Sequence, residues 1–76
     1  MNNKRRKVVS GAIECLQKAY DIVDRAFDEE QESLDNIPES LEGTDRYRKI
    51  EDSVDGMEEA LDFISSAIQE LESVIE

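Results

Sequence analysis

The chain has no histidine and no tryptophan, and only one cysteine, one proline and three glycines in 76 residues. Each shortage removes a class of answers. A single cysteine, Cys15, forbids a disulfide within the chain. Without histidine there is no ordinary zinc set, no Glu-x-x-His pair of a di-metal bundle, and no imidazole to activate Cys15 as a nucleophile. P-loop, GxGxxG, CxxC and GxSxG motifs are absent. Carboxylate pairs such as Glu51/Asp55 and Glu58/Asp62 are one helical turn apart, but a working acid–base pair needs a cleft that separates the two titrations. No catalytic residue, no cofactor and no metal site is therefore expected. No apolar run approaches the ~18 residues of a membrane span. The basic start, Met1–Lys7, leads into no unbroken apolar stretch of the kind a secretion signal carries. Together with the free thiol, this points to a reducing cytoplasm.

Positive charge is the other scarcity. Nine Lys and Arg stand against twenty Asp and Glu, giving a net charge of −11. Duplex DNA is not expected as a direct partner, because phosphate binding needs clustered bases. A domain this small has a marginal core unless disulfides, metals or partner chains add to it. With the first two gone, association with further copies is the expected source of stability.

What the chain does have is helical periodicity. Tyr47, Ile50, Val54, Met57, Leu61, Ile64, Ile68, Leu71 and Ile75 follow one another in alternating steps of three and four residues. A strand has period two and cannot produce this; a helix with a long packing seam can. The second helix is placed at about 45–75. Thr44 suits its N-cap, and Asp45 suits its first turn. A second strip on this helix, Gly56, Ala60, Phe63, Ala67 and Val74, sets one large ring among small residues. It reads either as a knob for another subunit or as a stray surface ring.

The first helix is placed at about 7–35. Val9, Leu16 and Val23 share one heptad column, and Ile13, Tyr20 and Phe27 another. Ala12, Ala19 and Ala26 form a third, and Val8, Cys15 and Ile22 a fourth. One partner helix needs only two columns, so this helix expects neighbours on two sides. Cys15 is read as a small packed hydrophobe, and Tyr20 as a packed ring with its hydroxyl at the rim. The cluster Lys4–Lys7 is read as a solvated arm ahead of the helix, or as a phosphate-binding arm.

Residues 36–44 form the connector. Pro38 disfavours helix at Ile37 and can open a short turn to Leu41. Gly43 permits positive φ. Leu34, Ile37 and Leu41 are expected to plug the end of the core. The fold expected is all-α, an antiparallel two-helix hairpin that associates into a four-helix bundle or a larger homo-oligomer.

Two binding patterns stand out. From Ile50 onward there are nine acids and no base. Asp52, Asp55, Glu59 and Asp62, with Phe63, are the candidate protein-interaction residues. A rod of regularly spaced carboxylates can imitate a phosphate backbone and occupy a basic groove. The bland alternative is a solubilising coat. The second pattern is Arg46, Tyr47, Arg48 and Lys49 at a helix start, where backbone N–H groups favour anions and a tyrosine can stack a base. Its alternative is a set of ion pairs with Glu39, Glu42 and nearby acids.

The run Leu34-Asp35-Asn36-Ile37-Pro38-Glu39-Ser40-Leu41-Glu42-Gly43-Thr44-Asp45-Arg46-Tyr47, followed by an acidic heptad helix, resembles a group of small acidic helical proteins. They are encoded by Firmicutes bacteria and by their phages and prophages. The resemblance covers residues 34–76 and extends more loosely over the first helix. It carries over no catalytic or binding residue. It implies an accessory protein of a mobile element, in a setting where small acidic proteins inhibit host defence as DNA mimics or as sponges for signal nucleotides. A non-enzymatic inhibitor of a host protein with a basic surface is the expected function. A nucleotide sponge and a purely structural self-assembling bundle are the alternatives.

Overall fold

The first helix starts earlier than the apolar spacing predicts. In the computed structural model, which describes all 76 residues, helix α1 spans Asn3–Asp35. The reason is a cap rather than a hydrophobe. The Asn2 side chain accepts from the Arg5 backbone N–H at 2.8 Å and satisfies one of the donors that a helix start leaves free. Lys4–Lys7 thus lies inside the first two turns instead of ahead of them. No acid offsets it in the first turn, which costs a few tenths to about 1 kcal/mol against the helix dipole.

At its other end α1 closes on Asn36, whose N–H donates to the Glu32 carbonyl at 3.1 Å, while the Ile37 N–H donates to the Leu34 carbonyl at 3.2 Å. Pro38, extended at ψ 146°, then opens a short 3-10 turn, Glu39–Leu41. Gly43 takes φ 85°, the only positive φ in the chain, and turns the backbone toward α2. Helix α2 spans Asp45–Ile75. The Thr44 hydroxyl fixes its start from both sides. It donates to the Leu41 carbonyl at 2.8 Å and accepts from the Tyr47 N–H at 3.3 Å.

The two helices pack antiparallel along their full length. Every residue of the α2 seam, Tyr47 through Ile75, is at least half-buried. On α1 the partners are the columns of Val9 and of Ile13, together with Leu34. The seam is thin. Only Ile13, Val54 and Leu61 are buried, at 7%, 4% and 6% exposure. The molecule is a rod of 59 × 15 × 14 Å with a radius of gyration of 17.3 Å. A compact chain of this length would give about 11 Å. The all-helical antiparallel hairpin is as the periodicity predicts.

Two packing expectations are corrected. Leu41 does not plug the core: the 3-10 turn carries it outward to 50% exposure, while Ile37 and Leu34 remain half-buried. Cys15 is not packed; it is exposed, because its column turns away from α2.

Candidate interaction surfaces

Two helices packed along one seam leave two broad faces, one on either flank. In an antiparallel pair the same flanking heptad rows from both helices meet on the same side, so the residue types on each face follow from helical phase. The structure identifies the first face by a shallow groove of ≈ 270 Å³. Gln17 and Asp21 of α1 and Ser65, Gln69 and Glu72 of α2 line it, around Tyr20 and Ile68 of the seam. The rows that run through these residues hold Glu14, Asp24 and Asp28 on α1, and Glu51, Asp55, Glu58 and Asp62 on α2. No apolar side chain occurs in them. This is the acidic face.

The opposite face carries the rows left over by the seam. On α1 these are Val8, Ala12, Cys15, Ala19, Ile22 and Ala26, again in steps of four and three. On α2 they are Ser53, Gly56, Ala60, Phe63, Ala67 and Val74, interrupted by Glu70. At the connector end of the same side, Ser33 of α1 and Arg46 of α2 line one groove of ≈ 400 Å³ with Ile37, Pro38, Leu41 and Tyr47. Val8, Ile22, Phe63 and Val74 are 69%, 65%, 67% and 51% exposed. The other large apolar side chains left in solvent, Met1 and Leu41, lie outside the two helices. Every exposed large apolar residue of the helices is therefore on this one face.

The candidate residues divide between these surfaces. Asp55 and Asp62 lie on the acidic face, and Asp52 and Glu59 on the outer back of α2; all four are exposed. Their steps of three, four and three residues make one stripe along the rod, with carboxylates about 5 Å apart along the axis. Phe63 is not part of that stripe and belongs to the apolar face. Arg46, Tyr47, Arg48 and Lys49 do not form one cluster. Tyr47 enters the seam and is half-buried. Arg48 falls on the acidic face, and Arg46 and Lys49 on the other. Burial, helped by the carboxylates of Glu42, Glu51 and Asp35, pushes the Tyr47 phenol above its usual pKa. Those three carboxylates disfavour a further negative charge at the ring.

No group of three or more His, Cys, Asp or Glu side chains converges to hold a metal ion. No helix is long and apolar enough to cross a membrane. The largest depression, ≈ 600 Å³, is an open shelf on α2 alone, between Ser66 and Val74, and is mostly polar. No protein family, curated protein or solved structure matches the chain.

What the sequence reading missed is the sharing of a face. When each helix is read alone, the Val8 and Ala12 columns of α1 and the Phe63 strip of α2 pass for separate surfaces. The signal was available: both occupy the same heptad phase relative to their own seam.

Proposed function

We propose that this chain is a non-enzymatic interaction protein that self-associates and binds a host protein through its carboxylate stripe. The observation that carries this reading is the sorting of charge along α2. Asp52, Asp55, Glu59 and Asp62 are all exposed, follow one another along one side of α2, and have no base among them. A rigid row of carboxylates at regular intervals suits a basic nucleic-acid-binding groove. The resemblance to small acidic proteins of Firmicutes bacteria and their phages supplies the setting: an accessory protein in the host cytoplasm that inhibits a defence protein by acidic mimicry. Binding should be steep in salt, since exposed charges are screened over about 10 Å at 0.1 M. The test is a pull-down from host lysate at low and high salt, with the four acids reversed to lysine. Loss of a basic partner in the reversed variant is the expected result. Capture that is indifferent both to salt and to the reversals would rule the mimic out.

A second reading rests on the groove beside Arg46 and Tyr47. A nucleotide could stack on the ring there, and the chain would act as a sponge. Against it stand Glu42, Glu51 and Asp35 around the phenol and the separation of the basic side chains. A thermal-shift screen with cyclic and linear nucleotides decides it. A rise in Tm that vanishes in Arg46→Ala and Tyr47→Ala would favour the sponge over the mimic. A bundle with no ligand at all predicts that neither assay responds.

A further inference from the structure

The apolar face has no partner within the chain, and three features of the molecule indicate what covers it. The first is area. A compact monomer of 8.7 kDa exposes about 4,700 Å². This chain exposes 5885 Å², an excess of roughly 1,200 Å². A specific interface removes about 800 Å² from each partner. The excess is larger than such a contact removes, so the rod has area enough to give to a second rod laid along it.

The second feature is constancy. Three buried residues leave 76 residues with a marginal core, which burial of a further apolar face strengthens. Whatever completes the core must be present whenever the chain is present. A host protein met on occasion does not satisfy that; another copy of the chain does.

The third is complementarity. Along α1 the bulky row, Val8, Cys15 and Ile22, runs beside the alanine row, Ala12, Ala19 and Ala26. Along α2, Phe63 stands among Gly56, Ala60 and Ala67. Antiparallel helices in contact set unlike heptad rows against each other. Where α1 of one copy lies antiparallel on α1 of the other, the bulky row of each meets the alanine row of its neighbour and fills its gaps. Charge agrees with this. Two chains of −11 repel, and this is the flank that places least negative charge between them: Glu70 is its one carboxylate between Val8 and Ala26 or between Ser53 and Val74.

We infer that the face built from Val8, Ala12, Cys15, Ala19, Ile22 and Ala26 of α1 and Gly56, Ala60, Phe63, Ala67 and Val74 of α2 is the surface on which a second copy of this chain docks, two hairpins closing a four-helix bundle. The inference rests on the self-association proposed above and specifies the face that performs it. The carboxylate stripe stays outside the contact and remains free for another protein.

Sedimentation equilibrium of the intact chain tests it, alongside the rate at which a maleimide modifies Cys15, which is exposed in the lone hairpin. The wild-type chain should sediment at twice its mass or an even multiple, with Cys15 at least tenfold slower to react at high than at low protein concentration. Ile22→Glu and Phe63→Glu should each retain helical circular dichroism, shift the mass toward one chain and release Cys15. Gln17→Glu and Gln69→Glu add the same charge on the acidic face and should leave mass and labelling unchanged. An oligomer that Ile22→Glu and Phe63→Glu leave intact, with Cys15 still reactive, would assign assembly to another face and overturn this inference while leaving self-association in place. A monomer for the wild-type chain at every concentration would overturn both, and the pull-down on the carboxylate stripe would still stand on its own.

Discussion

The two faces of the hairpin flank the same seam, are built from the same two helices and are equally long, yet they are made of opposite residues. One is polar and mostly carboxylate, with no apolar side chain. The other is alanine, valine, isoleucine and phenylalanine, with a single acid along its apolar length. A lone hairpin in water has no use for this difference, because both flanks would meet the same solvent. The asymmetry is informative because the seam alone does not require it: one flank presents charge to solvent, and the other presents apolar side chains. The charge of the chain is also not spread at random around the rod, as a coat that served only solubility would allow.

The largest expected effect removes both faces together. Leu61→Asp or Ile64→Asp puts a carboxylate into the seam that holds the helices, and the loss should be on the order of 4 kcal/mol. That is most of the stability a domain of this size has. Far-ultraviolet circular dichroism should fall to the level of an unfolded chain; retained helicity would mean that the faces do not depend on this seam.

Next comes the corner where the two faces are set relative to each other. Thr44→Ala removes both bonds of the hydroxyl and should cost about 1 kcal/mol, several degrees in Tm for a chain this short. An unchanged melting curve would show that the connector does not fix the pairing of the helices.

Smaller still is the effect of charge on the acidic face. Glu51→Gln and Glu58→Gln together relieve repulsion between exposed acids and should raise stability by a few tenths of a kcal/mol at low salt, with the gain fading as salt is added. A loss on neutralisation would mean that these acids hold the fold rather than only charge its surface.

The finest test concerns Tyr47, where the seam meets the acids of the connector. Its phenol should titrate above the usual value near 10, since burial and the carboxylates of Glu42, Glu51 and Asp35 all disfavour the anion. The sign follows from that. The contribution is intact below the pKa of the unfolded chain, and stability declines as pH rises through the folded value. An ultraviolet titration of Tyr47, with Tyr20 replaced by phenylalanine, should show the midpoint fall in Glu42→Gln. A midpoint at or below the ordinary value would contradict the penalty on the anion.

Much of the fold was legible in the residues. The alternating steps from Tyr47 to Ile75 admit no other regular structure, and the Thr44 cap with Gly43 before it marks where the second helix begins. Other points were hidden for local reasons. The early start of α1 depends on one hydrogen bond from Asn2, which a basic cluster against the dipole argues against. Leu41 has the side chain of a core residue, but a 3-10 turn advances the chain differently from an α-turn and carries it outward. Arg46–Lys49 reads as a cluster in a line of text, and a helix disperses it, because neighbours in sequence lie about 100° apart around the axis.

Periodicity is a property of one helix at a time, so the sequence alone could establish two amphipathic helices, a tight connector, an acidic coat and the lack of any catalytic motif. Which unpaired row of the first helix lies beside which row of the second is a relation between helices. It is settled only when they pack antiparallel and matching flanks fall on one side. That packing turned the two small-residue strips into a single apolar face and left Asp52, Asp55, Glu59 and Asp62 away from it.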